Sequence, residues 1–240
     1  MKDDFRQYLN RTQGILYSYL ACLPLLILYE ILIRISQPQT EYAVRISVDV
    51  WFRSLFQFLG VNAISATLFV AALVGAVIVY RKRSELNHLK KKYFGYMLVE
   101  SFLYAILVGA SIGIFLESLL MATGNSPLQS LNKLQLIALS LGAGLYEELF
   151  FRVILVSLFL YFFKQFFTKN YTAYAISAIL AALIFSGVHY IGEYGDFFTF
   201  SSFLFRFLFG LALNVIYVIR GFGITAWTHA IYDLIVISFF

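Results

Sequence analysis

Seven apolar runs decide which solvent this chain folds in. They lie at about 14–35, 61–80, 93–120, 134–163, 171–191, 203–219 and 222–240. Each comes close to the roughly 20 helical residues that cross a hydrocarbon core. Composition points the same way: 61% of residues are hydrophobic and 13% charged, against about 25% charged in an ordinary soluble domain. The expected fold is all-α, a polytopic transmembrane bundle of about seven to eight membrane helices forming a single membrane domain over residues 1–240. The runs at 93–120 and 134–163 exceed one crossing and are expected to tilt or to extend beyond the membrane. The segment 41–60 mixes Arg45, Asp49 and Arg53 with Val, Trp and Phe. That pattern suits an amphipathic helix on the membrane surface, or else an eighth, short span.

Charge placement orients the bundle. Of 18 Lys and Arg, six fall between Arg81 and Lys92. Flanked by spans on both sides, this segment reads as an inner loop obeying the positive-inside bias, and secondarily as a patch for anionic lipid. No nucleic-acid partner is expected. With the N-terminus inside, inner segments carry 12 basic residues and outer segments 4 (Arg34, Arg45, Arg53, Lys133). The first apolar run lacks a small-residue cleavage site and reads as a retained span. The expected location is a multi-pass protein of a prokaryotic inner or plasma membrane, with the N-terminus cytoplasmic. The single cysteine, Cys22, forms no intramolecular disulfide and no cysteine zinc site, and reads as packing filler or a lipid-facing residue.

An ionisable side chain within a span costs roughly 2.5–3.5 kcal/mol on insertion scales, so such residues face a bundle interior or a cavity. Here they are Glu30, Glu100, Glu117, Glu147, Glu148, Arg152, His189, Arg206, His229 and Asp233. Glu30, Glu100 and Glu117 stand near span ends or alone, and are expected to snorkel, protonate or pair. The remainder cluster in the second half of the chain. Glu148 and Arg152 are four apart, on one helical face, and able to pair. Glu147 is rotated about 100° from Glu148 and is free to face a cavity. His229 and Asp233 are four apart on the last span, and Phe185 and His189 four apart on the fifth. Ser140 and Gly144, also four apart, allow a close helix approach.

These motifs, Glu147-Glu148 with Arg152, Phe185 with His189, and His229 with Asp233, resemble the EExxxR, FxxxH and HxxxN of the CAAX protease and bacteriocin-processing (CPBP or Abi) family of intramembrane glutamic peptidases. Arg206, Gly210, Tyr217 and Gly221 extend the likeness, which covers residues 134–240. The departure is Asp233, where the family has Asn. An amide donates to an oxyanion; an ionised carboxylate repels one, so Asp233 must be protonated or must orient His229.

The resemblance implies an endopeptidase that cleaves a membrane protein or peptide near a C-terminal or leader segment. Glu147 and His189 would activate water, His229 with Asp233 would stabilise the oxyanion, and Glu148 with Arg152 would support the site. No cofactor is expected. The alternative is zinc on Glu147, His189 and His229, a common catalytic set. Other readings are a non-catalytic peptide-binding or immunity protein of the same fold, or a proton-coupled transporter. The oligomeric state is not legible. One geometric problem stands. Counted along their spans, Glu147 and His229 lie about 10–20 Å from the inner surface, while His189 comes near the outer end of its span. For the three to meet, the fifth span must shift or break, the fourth must tilt, or the boundaries must move.

Overall fold

Backbone amides in lipid have no water to turn to, so each span must close its own hydrogen bonds as a helix. In the computed structural model, which describes residues 2–38, 43–60, 63–119, 131–192 and 195–239, every regular element is helical. In chain order they are α1 (Lys2–Thr12), α2 (Ile15–Ser36), α3 (Ser47–Phe58), α4 (Ala63–Arg81), the single turn α5 (Arg83–Leu86) and α6 (Lys91–Leu119). The second half holds α7 (Lys133–Gly142), α8 (Val156–Phe163), α9 (Asn170–Val188), α10 (Phe200–Arg220) and α11 (Phe222–Phe239). Among the described residues, four helices are long and apolar enough to cross a membrane: α2, α6, α9 and α10. Shorter apolar helices lie in α4 and α11. The molecule is an all-α membrane bundle.

Residues 133–163 form one continuous helical run, but its centre is not α-helical. Two π-helical segments, Ala143–Glu147 and Leu149–Leu155, flank Glu148. Such bulges are rare and gather at functional sites, because they realign side chains that a regular ladder would splay. Upstream, α7 starts in a capping box, with the Asn132 side chain accepting from the Gln135 amide and Gln135 reciprocating.

The core lies where α2, α7 and α11 meet: Leu25, Tyr29, Ala138, Ile224, Ala226 and Ala230 are fully buried. Cys22 belongs to this core, which fits the packing-filler expectation. Gly144 permits the closest approach. A Cβ there would stand 2.4 Å from the Ala226 carbonyl oxygen, so α11 can lie against the first π segment only with glycine at 144. Outward-facing Phe69 and Val74 on α4, and Val99, Leu103 and Leu107 on α6, present the apolar face that lipid covers.

Of the segment 41–60, residues 47–58 are an amphipathic helix. Twelve residues rise only about 18 Å, less than the roughly 30 Å of a hydrocarbon core. Its inner face carries Asp49 and Arg53, both buried. Glu30 of α2 is not alone: it takes Arg45 at 3.2 Å and Arg53 at 2.5 Å, while Asp49 takes Arg45 at 2.9 Å and Arg53 at 2.7 Å. Tyr29 donates to Asp49 at 2.8 Å. Glu100 is likewise paired, with Arg220 and the Tyr8 hydroxyl. The side chain of Glu117 lies outside the described residues.

The depth problem resolves through the turn between α10 and α11. Gly221, at φ +81°, takes the left-handed conformation there, and a Cβ would strike the Gln13 carbonyl. Arg220 bonds Glu100, the Leu9 carbonyl and Thr12. Ser101 donates to the Ile224 carbonyl at 3.2 Å. The start of α11 is therefore level with a point ten residues into α6, or about 15 Å past its first residue. His229 starts its climb from that inset turn. Glu147 is 16 residues from Phe163 and His189 is 19 from Asn170, so along the α8–α9 pair both lie about 24–29 Å from the connecting turn. The three reach one height without a broken α9.

Candidate active site

Glu148 is the hub. Fully buried, its Oε1 takes Arg152 at 2.9 Å and the Nδ1 of His229 at 2.7 Å. The i,i+4 pairing of Glu148 with Arg152 is as the spacing suggests. The Arg152 guanidinium also reaches the Gly210 carbonyl at 3.3 Å and lies over the Phe185 ring, 4.7 Å from its centroid. His229 stands edge-on between Phe185 and Phe209, at centroid distances of 5.9 and 5.4 Å. Ring packing and the Glu148 bond together fix where its Nε2 points.

Glu147, one residue earlier, turns the other way. Its Oε2 is 3.9 Å from the Nε2 of His189 and 4.0 Å from the Nε2 of His229. Neither distance is a hydrogen bond, and Oε2 is buried with no partner. A buried carboxylate oxygen left unbonded costs stability, and this one stands between two imidazoles. The His189 Nδ1 is 2.7 Å from the Phe185 carbonyl. That contact assigns the ring hydrogen to Nδ1 and leaves an accepting lone pair on Nε2. Asp233 Oδ2 is 3.6 Å from the His229 Nε2, near but not bonded.

All six predicted side chains thus come together. Their exposure is graded: Glu148, Arg152, His229 and Glu147 are buried, whereas the His189 and Asp233 side chains are 25% and 30% exposed. The open edge of the site runs between those two. Beyond His189, Arg206 reaches Asp196, Tyr190 and Ser202, and the Asp196 amide bonds the His189 carbonyl at 2.8 Å. This brace on the loop after α9 includes Tyr190 and Asp196, which have no periodic signal in the sequence. Asn214 was also missed. It shares the Gly210 carbonyl with Arg152, donating at 3.0 Å.

Could the cluster hold a metal? A tetrahedral zinc with ligands at about 2.1 Å keeps its donor atoms about 3.4 Å apart. The Glu147 oxygen is farther than that from both imidazole nitrogens. No three His, Cys, Asp or Glu side chains among the described residues are placed to hold one ion. As arranged, the cluster is wider than a tetrahedral zinc site.

Fold and site together define a class: a helical membrane protein with a buried carboxylate–imidazole cluster at a π-distorted helix. Residues 129–235 match the family model of the type II CAAX prenyl endopeptidase, Rce1-like. The chain carries an Rce1-like domain over that stretch, which contains all six cluster residues; the family is one of proteases. Comparison with curated proteins and with solved structures returns no match.

Proposed function

We propose that the chain is an intramembrane endopeptidase of the glutamic type, cleaving a membrane-associated protein or peptide near a C-terminal or leader segment. The observation that carries this reading is the unbonded Glu147 Oε2 facing the accepting Nε2 of His189 across 3.9 Å. Two acceptors at that separation are bridged by one water, which donates a hydrogen to each at about 2.8 Å and keeps a lone pair for attack. Glu147 takes the proton as the water adds to the peptide carbonyl, then returns it to the leaving amine. His229 gives its Nδ1 hydrogen to Glu148 and, in the doubly protonated form, presents Nε2–H to the oxyanion. Asp233, 3.6 Å from that nitrogen, stands beside the oxyanion position without holding the ring. Glu148 and Arg152 hold His229 in place.

The test is comparative proteomics of membranes from cells making the parent chain or the Glu147→Gln variant. A protein whose terminal segment is removed only in the parent is the expected result, and it identifies the substrate. Identical processing in both sinks the reading. Loss of cleavage on chelation, restored by added zinc, would overturn the metal-free mechanism.

A further inference from the structure

A large cavity lies far from the cluster, between α1, α6 and α10. It is a half-open groove of about 990 Å³, walled by Tyr8, Leu9, Tyr96, Val99, Leu103 and Ile219, with the Glu100–Arg220 pair among its lining. That volume falls in the range of ligand pockets, about 300–1,000 Å³. That pair is largely satisfied: Arg220 gives four of its five N–H hydrogens to Glu100, Leu9 and Thr12. What remains open is apolar wall.

The mouth is different. Asp4 lines it; Lys90 and Lys92 beside the groove both bond Asp4, at 3.2 and 2.8 Å, and the Lys92 ammonium lies over the Tyr96 ring at 5.9 Å. Lys91 beside them is exposed. Hydrogen bonds from Lys92 and Lys90 hold the Asp4 carboxyl down at about 2, a sign of local positive excess. Lys92, Tyr96, Val99 and Leu103 descend one face of α6 at steps of four, three and four, a stripe about 16 Å long. Its complement has an anionic head and an apolar tail.

We propose that this groove binds one anionic phospholipid, its phosphate at Lys90–Lys92 and one acyl chain along Tyr96, Val99 and Leu103. The proposal is independent of the peptidase reading. It assigns the basic segment a specific ligand in addition to its topological role.

Native mass spectrometry of the full chain in detergent tests it, with phosphatidylglycerol and phosphatidylcholine of identical acyl chains as probes. One phosphatidylglycerol should be retained per chain in preference to phosphatidylcholine. Lys92→Gln should lower its occupancy about fivefold, the effect of one lysine near an anionic surface, and leave phosphatidylcholine unchanged. Val99→Trp, which fills the groove from an exposed wall, should displace both lipids, and Leu103→Trp repeats the test should Val99→Trp lower the melting temperature. Glycerol phosphate without acyl chains should not compete. Equal retention of the two lipids, unaltered by Lys92→Gln and by the groove-filling tryptophans, means bulk annular lipid and overturns the proposal.

Discussion

Two clusters of buried charge stand about one helix apart, and they are built on opposite plans. In the α2–α3 cluster, Glu30 and Asp49 face Arg45 and Arg53, two carboxylates against two guanidiniums, with Tyr29 completing Asp49. None of their side-chain polar atoms is buried without a partner. In the second cluster, Glu147 Oε2, Glu148 Oε2, and Arg152 Nε and Nη1 all lack a hydrogen-bond partner. Buried charge alone therefore does not mark a functional site in this bundle. What sets the second cluster apart is buried charge whose hydrogen bonds within the protein are incomplete. The first cluster fastens α3 against α2, and its neighbours Phe52 and Trp51 pack on Tyr146 and Phe150, either side of Glu147 and Glu148. It is a scaffold beside a site.

That contrast can be broken in four places, taken from the largest effect down. His189→Ala should cut cleavage by about 10²–10⁴, the usual worth of a positioned acid–base group, with melting temperature nearly unchanged. Arg53→Met should do the reverse. Leaving Glu30 and Asp49 each short of a cation should cost about 3–5 kcal/mol of stability, seen by thermal melting in detergent, while the surviving folded fraction cleaves normally. Gly144→Val should impair both, because its added carbons meet the Ala226 carbonyl; an overpacking loss of about 1–3 kcal/mol should come with a shifted α11 and slower turnover. Asp233→Asn should have the smallest effect, within about tenfold in kcat/KM, since 3.6 Å is too long for a hydrogen bond to His229. A larger fall would make Asp233 a direct participant.

Much of the site was legible because its residues sit at helical spacing. Glu148 with Arg152 shows in the i,i+4 rule, and Gly144 shows as a small residue at a close approach. The α2–α3 cluster was only half legible: Arg45, Asp49 and Arg53 stand four apart, but Glu30 lies 15 and 23 residues from its two arginines, across a helix boundary, where no periodicity links them. Counting Arg45 and Arg53 as outer-loop charges hid their role. The common height of Glu147, His189 and His229 was also hidden. It depends on the inset turn at Gly221, which tertiary contacts to Gln13 and Glu100 hold in place. The π segments flanking Glu148 carry no proline and no distinctive composition. α11 packs against the first and α9 against the second, contacts that a single span cannot reveal.

The most direct measurement pairs two isosteric changes at buried carboxylates, Glu147→Gln and Glu30→Gln, each assayed for melting temperature and for cleavage of the substrate found by proteomics. The predicted pattern is crossed. Glu147→Gln melts like the parent and loses at least a hundredfold in rate; Glu30→Gln melts several degrees lower and, where folded, cleaves at the parent rate. A folded Glu147→Gln protein that cleaves at the parent rate would contradict the assignment of the second cluster as the active site.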